Sequence, residues 1–260
     1  MTYFEGFIVP VPEANKAAYQ EHATSMGPMV QAIGVQRMVE SWDSDVQEGK
    51  QTDFRKAVDA KPDEKIVFSW FEYPNRQARD AANERFMSDP QMAEMASKPM
   101  PFDGKRMIMG GFDAIVEEGS GAGGPSTSLG TGYVDGIVVP VTEAKRDAYR
   151  DMAAKNAKIF REYGAVRIVE TLADDVPHGK VTDFHRAVKA QDGETIAFSF
   201  IEWPDKATRD QAWGKIMEDD RMEHGGDTMA GARMFWGGFE KILDTAGQPA
   251  AQGQAAPVSA

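Results

Sequence analysis

Apolar and polar residues alternate from Tyr3 to Val11 with the two-residue period of a strand, and the pattern returns from Tyr133 to Val141. After the first of these strands the period lengthens. Tyr19, Ala23, Met26, Val30 and Ile33 fall on one helical stripe, and Gly34 stops it. Tyr149, Ala153, Phe160 and Tyr163 form the matching stripe, which Gly164 ends. Gly27-Pro28 predicts a kink in the first helix; the second lacks both residues. Val35–Trp42 and Val166–Leu172 read as second strands. Ile66–Tyr73 and Ile196–Trp203, rich in aromatic and β-branched residues, read as third strands. Asn75 and Asp205, each after a proline, are expected to cap helices that end near Asp89 and Asp219. Arg106–Ile115 and Arg233–Ile242 supply a fourth strand each.

The elements therefore come twice, in the order β-α-β-β-α-β. The register holds without a gap from Tyr3/Tyr133 to Met92/Met222, with roughly two positions in five identical. This is the split βαβ order of ferredoxin-like α+β folds. Two helices cover only one face of a four-stranded sheet, so each bare face needs a partner, and the other copy supplies it. The expected architecture is two repeats, 1–118 and 132–244, packed sheet to sheet as a barrel within one chain. Residues 119–131 are Gly/Ser-rich and expected to be a flexible linker spanning on the order of 20 Å. Residues 245–260 are expected to be a disordered tail. The copies diverge at Glu223–Ala232, which is shorter by three residues than its counterpart and replaces Met-Pro-Phe-Asp-Gly-Lys.

Composition narrows the function. The chain has no cysteine, which removes disulfides, thiol catalysis and thiolate metal sites. A net charge of −12 without a basic cluster argues against nucleic acid, whose binding rests on neutralising phosphates. No apolar run approaches the ~20 residues of a membrane span. Met1 leads straight into a strand pattern without a secretion signal, so the expected location is cytoplasmic.

Several segments resemble a known family: Asp45-Val46, Gly49-Lys50, Thr52-Asp53-Phe54, Ala57-Val58, Phe68-Ser-Trp70, Arg79-Asp80 and Met100-Pro-Phe-Asp-Gly-Lys-Arg-Met107. Asp175-Val176, Gly179-Lys180, Thr182-Asp183-Phe184, Ala187-Val188 and Arg209-Asp210 repeat most of them. Together they are similar to the YbaA-like family of unknown function, numbered 1428, in the dimeric α+β barrel superfamily. Its usual members correspond to one copy and pair as homodimers, so the resemblance implies a fused dimer. The superfamily spans cofactor-free monooxygenases, haem-degrading enzymes, lactone isomerases, polyketide cyclases and non-catalytic stress proteins. Fold alone does not choose among them.

The strand carboxylates are the strongest candidate chemistry. Met38, Glu40 and Trp42 share one face of the second strand, matched by Ile168, Glu170 and Leu172. Ile66, Phe68, Trp70 and Glu72 share a face of the third, matched by Ile196, Phe198, Phe200 and Glu202. Apolar surroundings would raise these carboxyls toward neutral pH, as a general acid or base requires. All four could then line one cavity, with Phe68, Trp70 and Phe200 against the ligand. The alternative is that each is solvated at a strand end or paired with Arg37, Arg167 or Lys50. The chemistry expected is oxygenation or isomerisation of a small apolar or aromatic, enolisable molecule, with no cofactor. The rivals are a non-catalytic stress or ligand-sequestering protein, and an interaction module that builds larger assemblies through exposed edge strands.

Other motifs are weaker. The Asp43–Phe54 stretch fails as a calcium loop, because Glu48 and Phe54 stand where glycine and glutamate belong. Gly49-Lys50 fails as a phosphate loop. Asp53 and Asp183 are expected to tie down a long loop by accepting from backbone amides, or the loop is a lid whose Lys50 or Lys180 meets an anionic ligand. Arg79 and Arg209 are expected on solvated helix faces, and Arg106 and Arg233 as exposed strand-end side chains. None of His22, His178, His185 and His224 recurs in the other copy, and no pair has i, i+4 metal spacing. Only His185, beside Phe184, suggests a role in one asymmetric site. Met92, Met95, Met100 and Met107 are expected to fill core gaps or to line an adaptable pocket.

Overall fold

The computed structural model describes residues 1–90, 94, 98–120 and 132–246. The linker from residue 121, the tail from residue 247, Met92 and Met95 lie outside the described residues. Repeat one contains β1 (Tyr3–Pro12), α1 (Lys16–Ile33), β2 (Arg37–Val46), α2 (Phe54–Ala57), β3 (Glu64–Tyr73), α3 (Arg76–Ser88) and β4 (Ile108–Gly119). Repeat two contains β5 (Tyr133–Thr142), α4 (Arg146–Glu162), β6 (Arg167–Asp175), α5 (Phe184–Ala187), β7 (Glu194–Trp203), α6 (Lys206–Ile216) and β8 (Phe235–Asp244). The eight strands close into one barrel in the order β1-β3-β2-β8-β5-β7-β6-β4, with every neighbour antiparallel.

The repeats are sewn together at two seams, β2 with β8 and β4 with β6. This explains why β2 runs four residues past the expected Trp42. In its second half Asp43, Asp45 and Val46 pair with Phe239, Gly238 and Gly237 of the other repeat, with a bulge at Ser44. The same cause carries β4 to Gly119, opposite Arg167. Among the described residues all eight strands are paired on both sides, and none of them offers the free edge that the assembly reading needed.

The inner faces form one core. Ile66, Phe68 and Trp70 of β3 meet Ile196, Phe198 and Phe200 of β7, all fully buried. Phe68 stacks on Phe198 with ring centroids 4.6 Å apart, and Trp70 on Phe200 at 4.0 Å. Phe54 and Phe184, from the short helices α2 and α5, close one end of this column against Phe235, Phe239 and Phe112. Asp53 and Asp183 cap these helices as expected, accepting from Lys56 N and Arg186 N at 2.7 Å. Asn75 and Asp205 likewise cap α3 and α6. Helix α1 continues through Pro28 to Ile33.

The stacked rings explain the glycine in each opening strand. A Cβ on Gly136 would stand 2.7 Å from the Phe68 ring, and one on Gly6 2.8 Å from Phe198. Each glycine makes room for a ring from the other repeat. Gly136→Ala is expected to cost about 1–3 kcal/mol, because a packed core relaxes poorly around an added methyl. Gly214→Ala is the control. A Cβ there meets nothing within 4 Å inside α6, and helix propensity gives a gain of up to about 1 kcal/mol. Urea unfolding midpoints of the two variants should move in opposite directions.

The helices pack on the outer faces, and the arginines expected in solvent instead anchor them. Arg79 is buried under α3 and donates to Tyr3 Oη at 3.0 Å and to Asp175 at 2.6 Å. Arg209 is its counterpart, bonded to Asp135 at 2.9 Å and to Asp45 at 3.1 Å. Each arginine thus reaches an aspartate of the opposite repeat. Arg106 is buried as well, with a two-pronged bond to Glu64 at 2.7 and 2.6 Å; Arg233 makes the matching pair with Glu194. These four side chains read as surface arginines because their partners lie far away in sequence.

Candidate functional site

The four strand glutamates do not share a cavity. Glu40 and Glu170 point outward, beneath α1 and α4, where they accept from Tyr19 Oη at 2.7 Å and Tyr149 Oη at 2.9 Å. Glu72 and Glu202 point into the barrel at the end away from Phe54. A strand alternates faces, and the second and third strands present their glutamates to opposite sides of one sheet.

The inner pair is held in an ion cluster. Arg37 grips Glu202 at 2.9 and 2.7 Å and Asp244 at 2.9 and 2.7 Å. Arg167 grips Glu72 at 2.7 and 3.1 Å and Glu117 at 2.6 Å. Lys241 adds a bond to Glu202, and Trp70 donates its indole N–H to Glu72 at 2.9 Å. Burial works against the Glu202 carboxylate, but Lys241, Arg37 and Arg167 hold its pKa down to about 2. Such a group is a fixed charge near neutral pH, and it does not exchange protons there. Phe68, Trp70 and Phe200 are also closed off, in the filled core.

The outer pair behaves differently. Glu40 is buried, and desolvation raises its pKa to about 7 against the opposing hydrogen bonds of Tyr19 and Ser69. Burial raises Glu170 too, opposed by Ser199 and Tyr149. Glu40 sits at the wall of a cavity of about 180 Å³ between α1 and the sheet. Phe7, Val9, Met38 and Phe71 line it from the sheet, Tyr19, His22, Ala23 and Met26 from α1, and Phe86 from α3. Met100, Phe102 and Met107 cover it, so these methionines line a pocket as well as filling space. The covering segment is tied down at both ends: Asn15 Nδ2 donates to Pro101 O at 2.8 Å, and Arg106 binds Asp103 at 2.9 Å. Phe102 rests on Tyr19 and His22, with ring centroids 5.7 and 6.1 Å away.

Repeat two departs from this arrangement. Met152 replaces His22 and packs, buried, with Val139, Tyr149 and Leu172. Met229, from the shortened segment, joins the same cluster. A larger cleft of about 580 Å³ opens elsewhere on repeat two, lined by Trp213, Trp236, Ile137, Met217 and Met234 above Asp135 and Arg209. The Asp135 carboxylate accepts from Trp203, Trp213 and Arg209 at 2.8–2.9 Å, and burial raises its pKa against those bonds.

The remaining expected site residues lie elsewhere. Lys50 and Lys180 are exposed on their loops and do not line the Glu40 cavity. His185 is half-buried, its Nε2 3.2 Å from Val176 O and its ring 4.4 Å from that of His178. Among the described residues no group of three or more histidines and carboxylates is placed to hold a metal ion. The residue that sequence reasoning passes over is His22. Its place on the α1 stripe beside Tyr19 is the available signal, outweighed by its failure to recur.

The model of the family described as "Protein of unknown function (DUF1428)" matches residues 2–104 and 132–232. The chain belongs to this family. Over one 118-residue stretch the DUF1428 tandem is 53% identical to YbaA of Escherichia coli K12, described as uncharacterised. That match covers 45% of this chain and 100% of the relative; YbaA of Shigella flexneri matches equally. Among solved structures, a provisionally assigned monooxygenase of Fusobacterium nucleatum aligns with a TM-score of 0.59 at 9% identity, covering 94% of this chain and 93% of that one. Another from Lactobacillus acidophilus aligns at 0.55 and 10% identity, covering 94% and 95%. At these identities the likeness shows the fold alone: a DUF1428 tandem forms the α+β barrel that such proteins share. No helix among the described residues is long and apolar enough to cross a membrane.

Proposed function

We propose that the repeat-one cavity binds a small aromatic, enolisable carbonyl compound and that Glu40 is its general base. The observation that carries this reading is a buried carboxyl with a pKa of about 7 on the wall of an apolar cavity. A base poised near the working pH balances availability against proton affinity. The volume suits one aromatic ring with a short substituent, since a cavity of about 150 Å³ accepts benzene.

The step is a proton transfer. Glu40 takes a hydrogen from the carbon beside the carbonyl, and the C–H electron pair moves to form the enolate. Returning the proton to a different carbon is an isomerisation. With dioxygen as co-reactant, the same carbanion leads to oxygenation, in which CH₂ and O₂ become C=O and H₂O. That second outcome accords with the fold shared with provisionally assigned monooxygenases.

The probe is 2-indanone, a neutral ketone of this size, in deuterated buffer near pH 7. The protein should speed deuterium uptake at the CH₂ groups above the buffer rate, and Glu40→Gln should lower that acceleration by at least about 100-fold, the lower range for a lost acid–base group. Binding with no acceleration would favour the ligand-sequestering alternative. Acceleration unchanged in Glu40→Gln would remove Glu40 from the role.

A further inference from the structure

We propose that His22 is the second chemical group of the Glu40 cavity, donating the hydrogen bond that holds the substrate's carbonyl oxygen while Glu40 takes the proton from carbon. This rests on the reading of Glu40 as the base. An enolate places its new charge on oxygen, so a base alone leaves that charge without a partner in an apolar cavity. Catalysis then requires a donor already aimed at the oxygen.

The cavity offers few donors. The Tyr19 hydroxyl donates to Glu40, and Ser69 is hydrogen-bonded to Glu40 as well. Apart from Glu40 itself, the other lining side chains among the described residues are apolar, except His22. His22 lies three residues after Tyr19 on α1, on the cavity-facing stripe, and is partly buried. Among the described residues neither of its ring nitrogens has a hydrogen-bond partner; the ring is met edge-on by Phe102 at 6.1 Å. It is a polar group lining an apolar pocket, with both ring nitrogens open to solvent and available to a ligand. Burial also keeps it neutral at lower pH than usual. A neutral imidazole carries one N–H donor, which suffices to hold an enolate oxygen without surrendering its proton.

The two repeats supply an internal comparison. Tyr19, Glu40 and Ser69 all recur as Tyr149, Glu170 and Ser199, hydrogen-bonded in the same way. Met152 stands in the place of His22, buried in an apolar cluster. The carboxyl and its two hydroxyl partners are therefore common to both halves, and the unengaged donor is confined to the half with the cavity beside Glu40. Methionine is tolerated at this helix position in the same fold, which makes His22→Met a suitable deletion.

The experiment measures deuterium uptake by 2-indanone in the full chain, together with 2-indanone affinity by titration and thermal unfolding of each variant. His22→Met should cut the exchange rate at saturation by about 100-fold, with affinity changed less than tenfold. His22→Gln keeps an N–H donor and should recover at least a tenth of the lost rate. Exchange in His22→Met within twofold of the unsubstituted chain, while Glu40→Gln is inactive, would overturn the role of His22 and leave that of Glu40 standing. Equal losses in His22→Met and His22→Gln, with both folded, would also overturn it, because the donor would then not be what matters. No acceleration by the unsubstituted chain would overturn both roles together.

Discussion

Replacing Arg37 with methionine should lower the thermal unfolding midpoint by roughly 10 °C, the largest effect expected of any single substitution at the barrel ends. Arg37 is buried and bonds Glu202, Asp244 and Glu72 at once. Its removal leaves carboxylates in the barrel mouth with too few cations, and breaking a buried ion pair from one side costs about 3–5 kcal/mol. For a chain of this size each kcal/mol moves the midpoint by about 2–4 °C. Arg146→Met is the comparison. It removes an exposed pair with Glu143 and should cost less than about 1 kcal/mol. Calorimetry that found the two variants alike would mean the cluster does not hold the barrel closed.

The cluster has this weight because it joins the halves crosswise. Arg37 of repeat one serves Glu202 of repeat two, and Arg167 of repeat two serves Glu72 of repeat one. The duplication has since drifted, yet each side remains satisfied. Glu72 receives the Trp70 indole, where repeat two has Phe200 and no donor. Glu202 receives Lys241, where the aligned residue of repeat one is Ala114. Because the Glu202 pKa lies below its ordinary value, its contribution is present above about pH 4.5 and fades as pH falls toward 2.

The repeat, the element order and the need for each bare sheet to find the other are legible because alternation and helical stripes are local patterns. Strand ends at the seams are not, since Asp43–Val46 and Glu117–Gly119 are strand only by virtue of partners in the other copy. The carboxylates are legible as candidates, together with the face each shares with its neighbours. Sequence does not say that the two faces lie on opposite sides of one sheet, or that Arg37 and Arg167 swap partners between halves. His22 escapes any reading that treats recurrence in both copies as the mark of function. The cavity it lines belongs to the asymmetric part of the molecule.

Glu40→Gln should flatten the pH dependence of stability between pH 4.5 and 8. Burial raises the Glu40 pKa from 4.5 to about 7, so the native state holds this proton more tightly than the unfolded chain. Below pH 4.5 both states are protonated and the group is neutral to stability. As pH rises, the unfolded chain ionises first, and folding loses up to about 3 kcal/mol by pH 8, at about 1.4 kcal/mol for each pH unit separating the two ionisations. Glutamine cannot ionise, so the variant should escape this loss, less whatever its altered bonds to Tyr19 and Ser69 cost. That cost is constant with pH and leaves the slope as the readout. The other titratable groups facing Glu40 in the cavity, Tyr19 and His22, remain in both proteins and cancel in the comparison. Urea unfolding at pH 4.5 and pH 8 should therefore show the unsubstituted chain losing stability relative to Glu40→Gln as pH rises. Parallel curves would mean Glu40 ionises normally, and a carboxyl that ionises normally has no claim to be a base tuned by its cavity. A base made available near neutral pH by burial necessarily weakens the fold that buries it, so the stability cost and the proposed chemistry stand or fall on the same group.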